Sequence, residues 1–437
     1  MSANPPRVWV LALCLLVAAA ACGGSDETGD GADADGGTSS TVSAGAPVPD
    51  ACPETLEVGA PAESGATPVV WRQDLALGDL SAPGLGFVVD GVVVVNRTQA
   101  ESEFAVGIDV VTGEILWCAP GALSAPNSEQ PYAAGGPFLV RVQRDESSRE
   151  VVALDPATGE PRWTVEGPLA YDVGGNDSLV VVAGTEGSSD VKALSLDDGS
   201  TLWTHEPDVS ACATDEVVAV GDPGEIVGLS AADGSELWTV DDASLYCFEG
   251  TGYFSDGGLG VGSFVVHDIA TGQPLVEVPE DTAVRHFVDG DLMVVSDTDD
   301  PSVDTLTAYR LDGSGDVAWT TQIDTATTDG LYGSEYVDDR YVVAVNGVLS
   351  VYDLRTGDRL SEVAIEEEGA SVEAVVGDTV VLVYLDADPV NTVAVSATTG
   401  EVLWTLDDLA PIWSTVDGER LFFADESVVL AVDVATG

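Results

Sequence analysis

The chain has 437 residues and a formal net charge of −62, from 76 acidic and 14 basic side chains, with 45% hydrophobic residues and six cysteines. A charge this negative argues against nucleic acid and anionic headgroups as partners, because both are repelled by it. The hydrophobic fraction is that of a folding chain, so a structured unit must account for most of the length.

In chain order, Met1 to Ala21 reads as a secretory signal: Arg7 and the amino terminus supply positive charge, and Val8 to Ala21 is an unbroken apolar run. That run is too short to span a bilayer as a helix. It ends in Ala19-Ala20-Ala21-Cys22-Gly23, which resembles the bacterial lipobox although Ala19 departs from the preferred Leu. The resemblance implies a diacylglyceryl group on Cys22 and cleavage before it; an ordinary cleaved signal with an incidental cysteine is the alternative. Residues 22–50 then form a Gly-, Asp- and Ser-rich segment expected to be a flexible acidic tether. Within it Asp33-Ala34-Asp35-Gly36 starts like a calcium loop but lacks the downstream glutamate, and is read as linker. Residues 51–67 lead into the folded unit, 68–437.

From there one phrase recurs to the end: apolar-x-Asp-x-x-Thr-Gly-x-x-x-Trp. The clear copies are Asp109, Thr112, Gly113, Trp117 and Asp155, Thr158, Gly159, Trp163. Weaker copies place Gly199 before Trp203, Gly234 before Trp238, Gly315 before Trp319 and Gly400 before Trp404. Asp268-Thr271-Gly272 and Asp353-Thr356-Gly357 lack the tryptophan, and Asp433-Thr436-Gly437 ends the chain. The nine glycines lie 35 to 46 residues apart. Each phrase suits a hairpin in which Asp accepts main-chain amides across the turn, Thr supports it and Gly supplies positive φ. Trp then opens the next strand with a large apolar face and an indole N–H that needs a partner. Two further strand-like runs separate the phrases, such as Val92-Val93-Val94-Val95. Four short strands per forty-odd residues is the rhythm of a β-propeller blade. The last phrase stops where its fourth strand should begin, and Val69-Val70-Trp71-Arg72 offers that strand from the other end. Pairing the two closes a ring and removes two edges; a truncated fragment is the alternative.

Val152-Ala153-Leu154-Asp155-Pro156-Ala157-Thr158-Gly159-Glu160-Pro161-Arg162-Trp163 resembles the repeat of the pyrroloquinoline-quinone-type β-propellers, the superfamily of quinoprotein alcohol dehydrogenases and their non-enzymatic relatives. The resemblance covers residues 68 to 437 and implies an all-β propeller of eight four-stranded blades, or nine by literal count. The dehydrogenases carry an adjacent cysteine pair and long excursions between blades, and their haem-bearing members carry Cys-x-x-Cys-His; this chain has none of these. The other branch comprises lipoproteins and sensor domains outside the cytoplasmic membrane. The expectation is therefore a lipid-anchored, extracytoplasmic, monomeric binding or scaffold propeller without a cofactor, whose partner is an envelope protein or small ligand. A dehydrogenase using pyrroloquinoline quinone and calcium is the alternative.

No catalytic group stands out. Cys212 lies nine residues after Trp203 and Cys247 nine after Trp238, one repeat position in consecutive units. Cys212–Cys247 and, by remainder, Cys52–Cys118 are the expected disulfides of an exported protein, with free buried thiols as the alternative. His205, His267 and His286 have no metal-ligand spacing. Asp297, Asp299 and Asp300 with Asp304 offer hard oxygens for calcium, against the plainer reading of a solvated loop. The glycine-rich stretch 250–262 reads as a thin blade, and the sole lysine, Lys192, as a strand residue.

Overall fold

The computed structural model describes residues 69–434 apart from 75–85, 100–101, 124–137, 144–148, 168, 176–177, 185–190, 206–209, 223, 242, 249–250, 258–262, 281, 298–302, 325–333, 338, 366–369, 385–390, 408–412, 419 and 425–427. The expected signal, Cys22, the tether, the lead-in and Cys52 lie outside the described residues.

The described residues form nine four-stranded antiparallel sheets. Sheet 1 runs from strand Gly86–Val89 to Ile115–Pro120, sheet 2 from Ala122–Leu123 to Pro161–Gly167, and sheet 3 from Leu169–Gly175 to Thr201–His205. Sheet 4 runs from Ser210–Ala213 to Glu236–Asp241, sheet 5 from Tyr246–Phe248 to Pro274–Val278, and sheet 6 from Thr282–Val288 to Val317–Asp324. Sheet 7 runs from Ser334–Val337 to Arg359–Ala364 and sheet 8 from Ala370–Val376 to Val402–Asp407. Sheet 9 takes Trp413–Asp417, Arg420–Ala424 and Val428–Asp433 from the end of the chain and Val69–Asp74 from its beginning, with Trp71 opposite Ala431.

The valine runs explain why these segments are strands. Val92 to Val95 are all buried, with Val93 and Val95 in one core and Val92 and Val94 in another. A sheet covered on both faces wants an unbroken β-branched run rather than apolar–polar alternation. Each of the nine cores fills the seam between successive sheets. Val92 and Val94 meet Val152 and Leu154 of sheet 2, while Val93 and Val95 meet Trp71 and Phe422 of sheet 9. First strands of neighbouring sheets also touch, as Leu169–Gly175 does Ser210–Ala213 and as Trp413–Asp417 does Gly86–Val89. First strands are therefore innermost, and fourth strands form the rim.

Candidate functional site

Most of the recurring residues are spent on the sheets themselves. Asp109 accepts the amides of Val111 at 2.9 Å and Thr112 at 2.7 Å and the Thr112 hydroxyl at 2.9 Å, and Asp155 repeats the arrangement. Where serine replaces the aspartate, at Ser195 and Ser230, the carboxylate comes from later in the turn, as Asp198 and Asp233. At Ser396 it comes from Asp378, which accepts both Ser396 Oγ and Thr398 Oγ1.

Six of the seven fourth-strand tryptophans dock on the turn of the following sheet through their indole N–H, whereas Trp404 Nε1 is buried without a hydrogen-bond partner among the described residues. Trp71 Nε1 donates to the Val110 carbonyl, Trp117 to Pro156, Trp163 to Leu196, Trp203 to Ala231, Trp238 to Ile269 and Trp319 to Leu354, at 2.8–3.1 Å. The ring lies over the turn glycine: a Cβ on Gly113 would stand 2.6 Å from Trp71, and one on Gly159 2.6 Å from Trp117. Glycine is thus needed twice there, for its φ of 73° or 66° and for the ring above it. Opposite each tryptophan on the third strand stands a small residue: Gly107, Ala153, Ala193, Gly228, Ala308, Ala394 or Ala431.

Sheets 5 and 7 depart from this pattern. Val276 and Ser361 hold the tryptophan position, and the residues opposite grow to Val266 and Val351. Ser361 Oγ still donates to the next turn, at Ala397 O, 2.8 Å away. On these seams a long polar side chain opening the second strand reaches a glycine carbonyl of the next sheet. Tyr253 Oη bonds Gly290 O at 2.6 Å and Arg340 Nη1 bonds Gly377 O at 3.0 Å.

Cys212 and Cys247 are bonded to each other across the first strands of sheets 4 and 5, with Cα atoms 5.5 Å apart. Cys118 is also disulfide-bonded. Asp297 ends one strand of sheet 6 and Asp304 is the second residue of the next, while Asp299 and Asp300 lie outside the described residues. Among the described residues no three His, Cys, Asp or Glu side chains converge as a metal cage. His267 is buried and stacked on Phe254, which stacks on Trp238. Its Nδ1 lies 3.1 Å from Gly272 O and its Nε2 3.4 Å from an Asp256 carboxylate oxygen.

Charged and aromatic side chains that the repeat does not use sit on the innermost strands of sheets 6 to 9, and sequence reasoning did not single them out as a site. Two of these strands carry a bulge. Val284 pairs with Val295 and His286 with Val294, leaving Arg285 unpaired in the ladder; Val372 pairs with Leu382 and Ala374 with Val381, leaving Glu373. A bulge re-aims the side chain it carries and is common beside functional sites. The available signal was a charged residue in an otherwise apolar segment that leads into a glycine turn, Val284-Arg285-His286-Phe287-Val288 and Val372-Glu373-Ala374-Val375-Val376. His286 stacks on Tyr336 of sheet 7 with ring centres 5.6 Å apart. Burial pushes the Glu373 carboxyl above the usual range, and Ser414, from the first strand of sheet 9, offsets only part of that.

The family model described as outer membrane protein assembly factor BamB matches residues 58–222, 147–246 and 187–437. No curated protein matches the chain significantly. Among solved structures, BamB from Moraxella catarrhalis aligns at 15% identity over 84% of this chain and 99% of that one, with TM-score 0.44. The computationally designed protein Ika8 aligns at 16% identity over 82% and 98%, with TM-score 0.47. Sqt1 from Saccharomyces cerevisiae aligns at 11% identity over 84% and 99%, with TM-score 0.43.

Proposed function

The chain belongs to the family described as outer membrane protein assembly factor BamB, and from that premise we propose that it is a non-enzymatic binding scaffold of the cell envelope. In this reading Cys22 carries the diacylglyceryl anchor, residues 22–50 are the tether, and a monomeric propeller presents the first strands of sheets 6 to 9 to an envelope partner. The observation that carries it is a division of labour. Asp, Thr, Gly and Trp of the repeat are consumed by turns and seams, whereas Arg285, His286, Tyr336 and Glu373 gather on innermost strands. A fold alone assigns no activity, so the assignment rests on these groups.

The test is a photo-crosslinking residue at position 336, compared with one at the exposed rim residue Leu237, in the full chain in its native envelope. A discrete adduct from 336 and none from 237 is expected; equal labelling at both positions overturns the docking surface. Cys22→Ala is expected to release the protein from the membrane fraction. No quinone cofactor is proposed, and a calorimetric titration with pyrroloquinoline quinone plus calcium should be silent. Tight binding near one equivalent would restore the dehydrogenase reading.

A further inference from the structure

We propose that the Arg285–His286 bulge on the innermost strand of sheet 6 is a binding site for a small carboxylate ligand, with Arg285 as the anion-binding group. Arginine stays charged in any protein environment, so a half-buried guanidinium must be compensated by something. The chain offers 76 acidic residues for that purpose, and other arginines use them or spend their donors on structure. Arg162 meets Asp155, Arg355 meets Asp289 and Asp339, and Arg359 meets Glu362. Arg340 and Arg420 are tied to main-chain carbonyls of the next sheet.

Arg285 spends only one donor in this way. Its hydrogen bond runs from Nε to the neutral hydroxyl of Ser296, 2.6 Å away, and among the described residues no carboxylate lies within ion-pair distance. Ser296 is fully buried and holds the Nε edge of the guanidinium, and the Arg285 side chain as a whole is only partly buried. That leaves a pre-positioned fork of N–H donors, which matches the two oxygens of a carboxylate.

The surroundings fit a small organic ligand better than a bare ion. On the second strand of sheet 6, Leu292 and Val294 pack against Tyr341 and Val343 of sheet 7, and Ser296 continues that face. Arg285, bonded to Ser296, therefore lies toward sheet 7, where His286 stacks on Tyr336 and Tyr336 packs against Tyr341 at 4.5 Å. This aromatic stack beside the fork gives an apolar wall for the body of the ligand, as small-molecule sites usually combine few polar groups with apolar lining.

The site lies on the surface assigned above to the partner and rests on that reading for its accessibility. The measurement uses purified protein alone, so failure here leaves the crosslinking result standing, and failure there leaves this one. With His205, His267 and His286 the only histidines, the ring signals of His286 can be assigned by NMR on the full chain, using His286→Asn. Titration with benzoate, acetate and inorganic phosphate should give saturable His286 shifts, largest and at lowest concentration for benzoate. Arg285→Gln should abolish them, Arg285→Lys should weaken them at least tenfold through loss of the fork, and Ser296→Ala, a positioning change, should weaken them less. A thermal melt shows that each variant is folded. Absence of saturable shifts in the wild type, or equal shifts in Arg285→Gln, overturns the proposal; a response to phosphate alone overturns the carboxylate assignment.

Discussion

At the scale of single residues the seam is a size relation among three positions: a tryptophan, the small residue across the strand pair, and the glycine of the next sheet. Ala153 is buried opposite Trp163, whose ring lies over Gly199. Ala153→Val should therefore overpack the seam and cost about 1–3 kcal/mol. The same valine is native at Val266 and Val351, where no tryptophan faces it. Urea unfolding midpoints check this, and an unchanged midpoint would refute the size relation. The carboxylates give a second prediction. Burial raises the Asp155 carboxyl, but its bond to Arg162, the Arg162 charge and the Thr158 and Ala157 donors outweigh that, so it titrates low. A depressed folded pKa means stability present above the unfolded value of about 3.9 and lost as pH falls through the folded pKa. Asp256 behaves alike: burial raises its carboxyl, but the bond to His267, the Val265 amide and the His267 charge together outweigh that. Glu373 has the opposite sign: burial raises its pKa, so its ionised form opposes folding at neutral pH, and stability is regained as pH falls toward about 4.3. Thermal melts of Asp155→Asn should show a loss at pH 7 that shrinks as pH falls below the unfolded value of about 3.9, whereas Glu373→Gln should melt higher than wild type at pH 7. A Glu373→Gln melt below wild type would show that the carboxylate is held for stability rather than for binding.

At the scale of strands and sheets the seams are not equivalent. Trp319 locks sheet 6 to sheet 7, but sheets 5 and 6, and sheets 7 and 8, meet without an indole and are latched by Tyr253 and Arg340. Sheets 6 and 7, which carry Arg285, His286 and Tyr336, thus form a pair bounded by the two polar latches. Leaving a carbonyl without its donor costs about 1–3 kcal/mol where water is excluded and less where it is not. Tyr253→Phe and Arg340→Met together should lower amide protection in sheets 6 and 7 before the other sheets open. Hydrogen exchange measures this, and a uniform fall across all nine sheets would refute a separable pair. The physical reasons also explain what the sequence could show. Turn chemistry is short-range, so Asp, Thr and Gly could be read from one phrase, and even the carboxylates displaced to Asp198 and Asp233 stay within it. The tryptophan's acceptor lies in the next unit, 28 to 39 residues on, and spacing alone does not say which glycine it covers. The bulges at Arg285 and Glu373 are one-residue slips in innermost strands that lack regular alternation, so nothing periodic marks them.

At the scale of the whole molecule two long-range features dominate, the sheet made from both ends of the folded unit and the charge. Val69–Asp74 completes sheet 9, and Trp71 reaches on to Val110 of sheet 1, so one strand ties two seams together. The pairing was legible because the phrase ending near Asp433 lacks its fourth strand and Trp71 stands in an orphan one. The nine cores, by contrast, are each shared between sheets, and no single unit carries a core that it could bury alone. Against this cohesion acts a net charge of −62. Like charges crowded on a compact surface repel, and folding brings them closer than they lie in the unfolded chain. Surface ion pairs such as Arg162–Asp155 work the other way, but each is worth about 1 kcal/mol or less, and 14 basic residues cannot offset 76 acidic ones. Salt shortens the reach of both effects, to about 10 Å at 0.1 M and about 3 Å at 1 M. The repulsion acts over longer distances than the contact pairs, so it is screened first. The melting temperature should therefore rise steadily as sodium chloride goes from 0.02 to 1 M, most steeply below 0.2 M. A melting temperature that falls with salt would mean that specific ion pairs, not self-repulsion, set the electrostatic balance of the folded unit.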